Sequence, residues 1–157
     1  MKQKFDYPSW LYQQLISNSL PWEEGKKISF SQFHKKYTLH DSHWIGIFYA
    51  VGYEQAVTLA IEWDSVWLPE EIKKCTTNII NNLLYLFIRL TGVEQIDTTN
   101  YVDVGYICRT ISSSEFEEIE SKNFLAIDDV FGGQVNIIYH GEEIFLAVAK
   151  DKTILEI

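Results

Sequence analysis

The sequence predicts an α+β domain: an antiparallel sheet of five to seven strands with N-terminal helices packed on one face. Three observations carry that prediction. Apolar residues recur at helical spacing near the N-terminus, and from Trp44 onward they alternate or run in short blocks between turn residues. No repeat, low-complexity tract or Pro/Gly/Ser linker divides the chain. Its 157 residues, 46% of them apolar, suit one domain with a core of its own.

The elements follow in order. "PSWLYQQLISNS" (8–19) places Trp10, Leu11 and Leu15 on one helical face, with Ser9 as N-cap and Pro21 as stop. "ISFSQFHKKY" (28–37) spaces Phe30, Phe33 and Tyr37 for a short second helix. The period then changes. "WIGIFYAV" (44–51) and "AVTLAIEWD" (56–64) flank a turn and predict a hairpin. One face of it would carry Ile45, Ile47, Tyr49 and Val51 with Val57, Leu59, Ile61 and Trp63. The other would carry Gly46, Ala50, Ala56 and Ala60, shallow enough for the first helix to lie close.

"LPEEI" places Pro69 at a first helical position, with Glu70 and Glu71 in the favourable first turn. The stretch to Gly92 reads either as one long helix or as a helical turn followed by a strand at 83–91. The Thr/Asn-rich "CTTNIINN" favours the strand, with both faces buried. "VGYICRTIS" (104–112) predicts another strand. Ser114 with Glu117 forms a capping-box signature for a brief helix through Glu120, and "DDVFGGQ" is a turn with glycines available for positive φ. "VNIIYH" and "EIFLAVA" predict a second hairpin around Gly141 and Glu142. "TILEI" is a last strand.

Composition narrows the function. Five Trp, nine Tyr and nine Phe imply an aromatic core or rings displayed on a contact surface. Cys75 and Cys108 make neither a disulfide framework nor a metal ribbon. The opening "MKQKFDYPSW" has no signal-peptide core, and no apolar run approaches the ~20 residues of a membrane span. A cytoplasmic chain is expected. The net charge of −9 is uneven: residues 1–40 hold six lysines against Asp6, Glu23 and Glu24, a net of +3, leaving −12 for residues 41–157. Acidity peaks at Glu115, Glu117, Glu118, Glu120, Asp128 and Asp129, against Lys122 alone. Such a surface repels phosphate backbones and attracts a basic protein. These six carboxylates are the expected partner-binding residues.

"YTLHDSHWIGIFY" gathers His40, Asp41, Ser42 and His43. Adjacent residues of an extended chain point to opposite sides, so they cannot form a nucleophile–base–orienter line. A metal would need His34 or Asp41 beside His40 and His43 in a spacing that is not specific. No metal, cofactor or catalytic group is expected here. Asp41 and Ser42 instead close a turn at a strand entry. Cys108 reads as core, and His140 before Gly141 as a turn residue. Arg89, inside an apolar run, would need a carboxylate if buried; it reads as snorkelling from a strand edge. A small enzyme or ligand-binding domain built on His40, Asp41, His43, Arg89 and His140 is the alternative to a binding protein.

"YTLHDSHWIGIFY" together with "DDVFGGQVNIIYHGEEIFLAVA" resembles a group of small uncharacterised bacterial proteins that share an HDS-W segment and a D-V-aromatic-G-G-x-V segment. In size, acidity and lack of catalytic motifs the chain is also similar to immunity proteins. That resemblance implies an inhibitor whose acidic surface occludes the active site of a basic toxin.

Overall fold

A computed structural model of the chain describes residues 7–17, 19–20, 30–49, 55–68, 70, 73, 84–99, 110–148 and 152–155. Two helices, α1 (Ser9–Ser17) and α2 (Phe30–Lys36), precede the strands β1 (His43–Tyr49) and β2 (Val57–Trp63). A single 3-10 turn at Ser65–Trp67 follows, then β3 (Leu84–Thr91), β4 (Gln95–Thr99), β5 (Ile111–Ile119) and β6 (Lys122–Asp129). The described chain closes with β7 (Gln134–Tyr139), β8 (Gly141–Val148) and β9 (Ile154–Leu155). The class is α+β. The strands form two antiparallel sheets, one of five strands ordered β1-β2-β3-β8-β9 and one of four ordered β4-β7-β6-β5. The sequence reading placed its five to seven strands in one sheet. The second sheet escapes it because periodicity reports which face of a strand is buried, not which sheet the strand joins.

The sheets face each other across one apolar layer. From the five-stranded sheet come Leu59, Ile61, Leu86, Ile88 and Leu146, and from the other Leu125, Ile127, Val135 and Ile137, all essentially buried. The far face of the five-stranded sheet carries Ala60, Tyr85, Phe87, Phe145 and Ala147, and α1 lies on it through Leu11 and Leu15. At nine residues α1 is shorter than the ~12–15 an isolated helix needs, so this docking holds it together. β3 is thus covered on both faces, which is why "LLYLFIRL" shows no polar alternation. The strand expected at 83–91 is present. Of the expected helical turn after Pro69, the described residues Glu70 and Lys73 are helical, with Lys73 Nζ 3.1 Å from Glu70 Oε1. Pro69 itself, the strand residues 104–109, Cys75 and Cys108 lie outside the described residues.

The first hairpin pairs as expected, with Ile47 opposite Leu59 and Gly46 opposite Ala60. A bulge between Trp44 and Gly46 changes its facing. Trp44 and Ile47 enter the layer between the sheets, while Ile45 turns with Phe48 toward α1 and Tyr49 is exposed. The expected grouping of Ile45 with Ile47 and Tyr49 assumed an unbroken alternation.

Two further expectations are corrected. Residues 114–120 are not helical: Ser114–Ile119 belong to β5, paired in register with β6 so that Phe116 meets Leu125. A capping box contributes about 1 kcal/mol, less than this ladder and the burial of Ile111 beside it. The segments around Gly141 do not form a hairpin either. One residue, His140, separates β7 from β8, too few to reverse a strand. It bends the chain from one sheet into the other. β3 and β4 make the same passage beside it, since β3 pairs with β8 and β4 with β7. At this corner Gly92 takes φ 59°, and a Cβ there would lie 3.1 Å from that of His140.

α2 closes the side of the sandwich. Phe30 and Phe33 are fully buried between the sheets. His34 Nε2 lies 2.8 Å from the Ser114 carbonyl oxygen on the β5 edge. Glu142, at the start of β8, accepts hydrogen bonds from the Phe30 N–H and the Tyr139 hydroxyl. Burial pushes the Glu142 carboxyl up, against the opposing pull of these two donors. Burial also keeps the Tyr139 hydroxyl protonated as a donor.

Leu59→Ala is expected to cost about 2–5 kcal/mol in chemical denaturation, and Ile47→Ala, at a half-exposed site, less than the Leu59 change. A second expectation concerns pH. A carboxyl raised in the fold contributes its stability below its unfolded pKa and loses it as pH rises through the folded value. Thermal unfolding should therefore show a Glu142-dependent loss of stability as pH rises from the usual carboxylate range. Glu142→Gln should flatten that slope.

Candidate functional site

The histidine-rich stretch is a structural corner. Asp41 adopts φ 63°, and its N–H donates to the Ile111 carbonyl at 3.0 Å. Ser42 is fully buried, and its Oγ accepts from the Asp64 N–H at 3.1 Å. The Ile111 N–H donates to the Ser42 carbonyl, so the segment stitches the head of β1 to the head of β5. His43 Nδ1 lies 3.2 Å from Thr110 Oγ1. His40 Nδ1 lies 2.9 Å from Asp41 Oδ2 at the surface, and the His40 carbonyl accepts from the Trp67 indole. The expected turn at the strand entry is present.

The other polar candidates lie elsewhere. Arg89 is on central strand β3 rather than an edge, 3.6 Å from Glu143 across the β3–β8 ladder. His140 is at the intersheet corner, where its Nε2 lies 2.6 Å from Glu94 Oε1. Lys122 Nζ is 2.5 Å from Glu94 Oε2. The Lys122 ammonium first, then His140, holds the Glu94 carboxyl below the usual range. His40, Asp41 and His43, Arg89, and His140 thus occupy three separate places. Among the described residues, no three His, Cys, Asp or Glu side chains are grouped to hold a metal ion.

The acidic residues are gathered more closely. Alternation along β5 turns Phe116 inward and Glu115 and Glu117 outward onto the face of the four-stranded sheet that neither α1 nor α2 covers. The ladder registers set two rows across that face. One is Asp97, Asn136, Ala126 and Glu115; the next is Gln95, Ile138, Phe124 and Glu117. Rows on one face are spaced by about 7 Å, and the edge strands β4 and β5 lie three strand spacings, about 14 Å, apart. Carboxylates therefore stand on both rims, with half-buried Phe124 and Ile138 between them. Neither described helix covers this face: α1 packs on the other sheet and α2 fills the sandwich edge. Lys122 is the lone basic residue of these four strands, and Glu94 pairs with it.

The six expected partner-binding carboxylates are not equivalent. Glu118 and Glu120 are exposed at the β5–β6 turn. Asp128 points to the outer face but accepts from Ser113 Oγ and Gln134 Nε2. Asp129, read from sequence as a solvated turn residue, is buried. Its Oδ1 accepts from the N–H groups of Phe131 at 2.7 Å and Gly133 at 3.0 Å. Gly132 takes positive φ, whereas Gly133 is needed for space: a Cβ there would lie 2.2 Å from Asp129 Oδ2. Asp97 was missed because "QIDTT" was not read as a strand. Ile96 turned inward between Gln95 and Asp97 is the signal that marks it.

The chain matches no protein-family model, no curated protein and no solved structure. No helix among the described residues is long and apolar enough to cross a membrane.

Ser42→Ala should cost about 1–3 kcal/mol in denaturant titrations, because it strips the partnered Asp64 N–H of its acceptor. His40→Ala, at the exposed ion pair, should cost about 0.5 kcal/mol or less.

Proposed function

We propose that this chain is an acidic binding protein of the immunity type, which neutralises a basic toxin in the cytoplasm by laying its carboxylate face over the toxin's cationic active site. One observation carries the reading. The outer face of the four-stranded sheet sets Asp97 on one rim and Glu115 and Glu117 on the other, around Phe124 and Ile138. Ionised carboxylates are acceptors only and take arginine in bidentate pairs. An apolar centre ringed by polar groups is the layout in which buried contacts carry most of an interface's energy. The −12 charge of residues 41–157 extends the same field over the rest of the chain.

A field of this kind acts mainly on the association rate. Steering weakens with salt, since the Debye length falls from ~10 Å at 0.1 M to ~3 Å at 1 M. The test is protection. Genes flanking this one are searched for a toxic domain, cells expressing this chain are challenged with it, and the purified pair is followed by stopped-flow mixing. Reversal of Asp97, Glu115 and Glu117 to Lys should slow association at least about tenfold at low salt, leave the thermal unfolding transition in place, and abolish protection. An unchanged rate moves the contact elsewhere on the molecule. Protection that does not depend on the chain removes the immunity reading itself.

A further inference from the structure

A cleft of about 310 Å³ opens on the far face of the five-stranded sheet, between α1 and the strands β3, β8 and β9. α1 lends it Trp10 and Gln14, one turn apart on the helix. Phe87 of β3 and Phe145 and Ala147 of β8 form its floor, all at least 97% buried. The single methyl of Ala147 leaves depth that a larger side chain would fill. At the mouth stands Lys152, exposed, its Nζ 5.5 Å from the centre of the Trp10 ring. Its backbone holds φ 59°, a left-handed conformation unfavourable for a lysine.

We propose that this cleft binds a small aromatic carboxylate. The half-buried Trp10 ring beside an apolar floor favours a flat apolar body through edge and offset ring contacts. The volume lies at the small end of ligand pockets, which run from about 300 to 1,000 Å³. Among the described residues, Lys152 is the one cation lining this cleft, in a strongly acidic chain, and Gln14 adds an amide donor to the lining. An ammonium poised on a ring face can bond a carboxylate without leaving the ring. The cleft lies on the far face of the five-stranded sheet, away from the acidic face, so this site does not rest on the proposed function.

The probe is 3-phenylpropanoate, with 3-phenylpropanol as its uncharged counterpart, titrated by calorimetry into the full chain. The carboxylate should saturate one site and bind about tenfold more tightly than the alcohol, as loss of one charge-assisted hydrogen bond implies. Lys152→Glu should weaken the carboxylate about tenfold or more, and Lys152→Met less, while neither alters the alcohol. Lys152 is exposed, so both variants should unfold at the wild-type temperature. No saturable binding of the carboxylate, equal affinity of Lys152→Glu for it, or an alcohol that binds as tightly would each overturn the assignment.

Discussion

The structure turns on the corner where two adjacent strands leave one sheet and enter the other. β3 runs into β4 through Gly92, and β7 runs into β8 through His140, side by side. The His140 N–H donates to the Thr91 carbonyl at 3.1 Å, so the strands stay bonded through the bend. A Cβ on Gly141 would come within 2.6 Å of Thr91 Oγ1, and one on Gly92 would crowd the His140 side chain. Close backbone approach is what lets both strands bend together. Without that bend the apolar faces of the two sheets would lie in one plane, and neither would be covered.

Other contacts join the sheets differently. The Asp41–Ser42 turn bonds to Ile111, and the Glu142 carboxylate and His34 hold α2 between β8 and β5. These are polar contacts at the margin of an apolar layer, where each donor or acceptor left without a partner would cost about 1–3 kcal/mol. Buried Ser42 and Asp129 serve the same end, supplying oxygens to backbone N–H groups that no ladder reaches. The residues that looked most like chemistry in the sequence are largely the fastenings of the sandwich.

With one face of the four-stranded sheet turned inward, its other face carries polar rims around Phe124 and Ile138. Exposed carboxylates on β5 keep this edge strand from pairing with another chain, as charges on sheet edges generally do. The same carboxylates create the field by which a cationic partner would be drawn in. Edge protection and the proposed recognition separate by salt and by mutation: edge protection needs charge of either sign, recognition of a basic surface needs negative charge.

By itself the sequence determined the elements whose signal is local. The periodicity of residues 8–19 and 28–37, the alternation in β2 and β9's terminal run were legible because a helix or strand face repeats along the chain. So was the double burial of β3, since a strand covered on both sides has no polar alternation to show. The turn at Asp41–Ser42 was legible too, from residue types that bond their own backbone. Tertiary structure decided the rest. A capping signature at Ser114 yielded to the β5–β6 ladder, a bulge reversed Ile45, and a single residue at His140 made a corner where a hairpin was expected. The candidate face shows the same division. The acidity of Glu115 and Glu117 could be read directly, but their alignment with Asp97 arises from strands paired across β6 and β7. Register between strands distant in sequence is set by which faces can be buried together, and no local stretch of the chain carries that information.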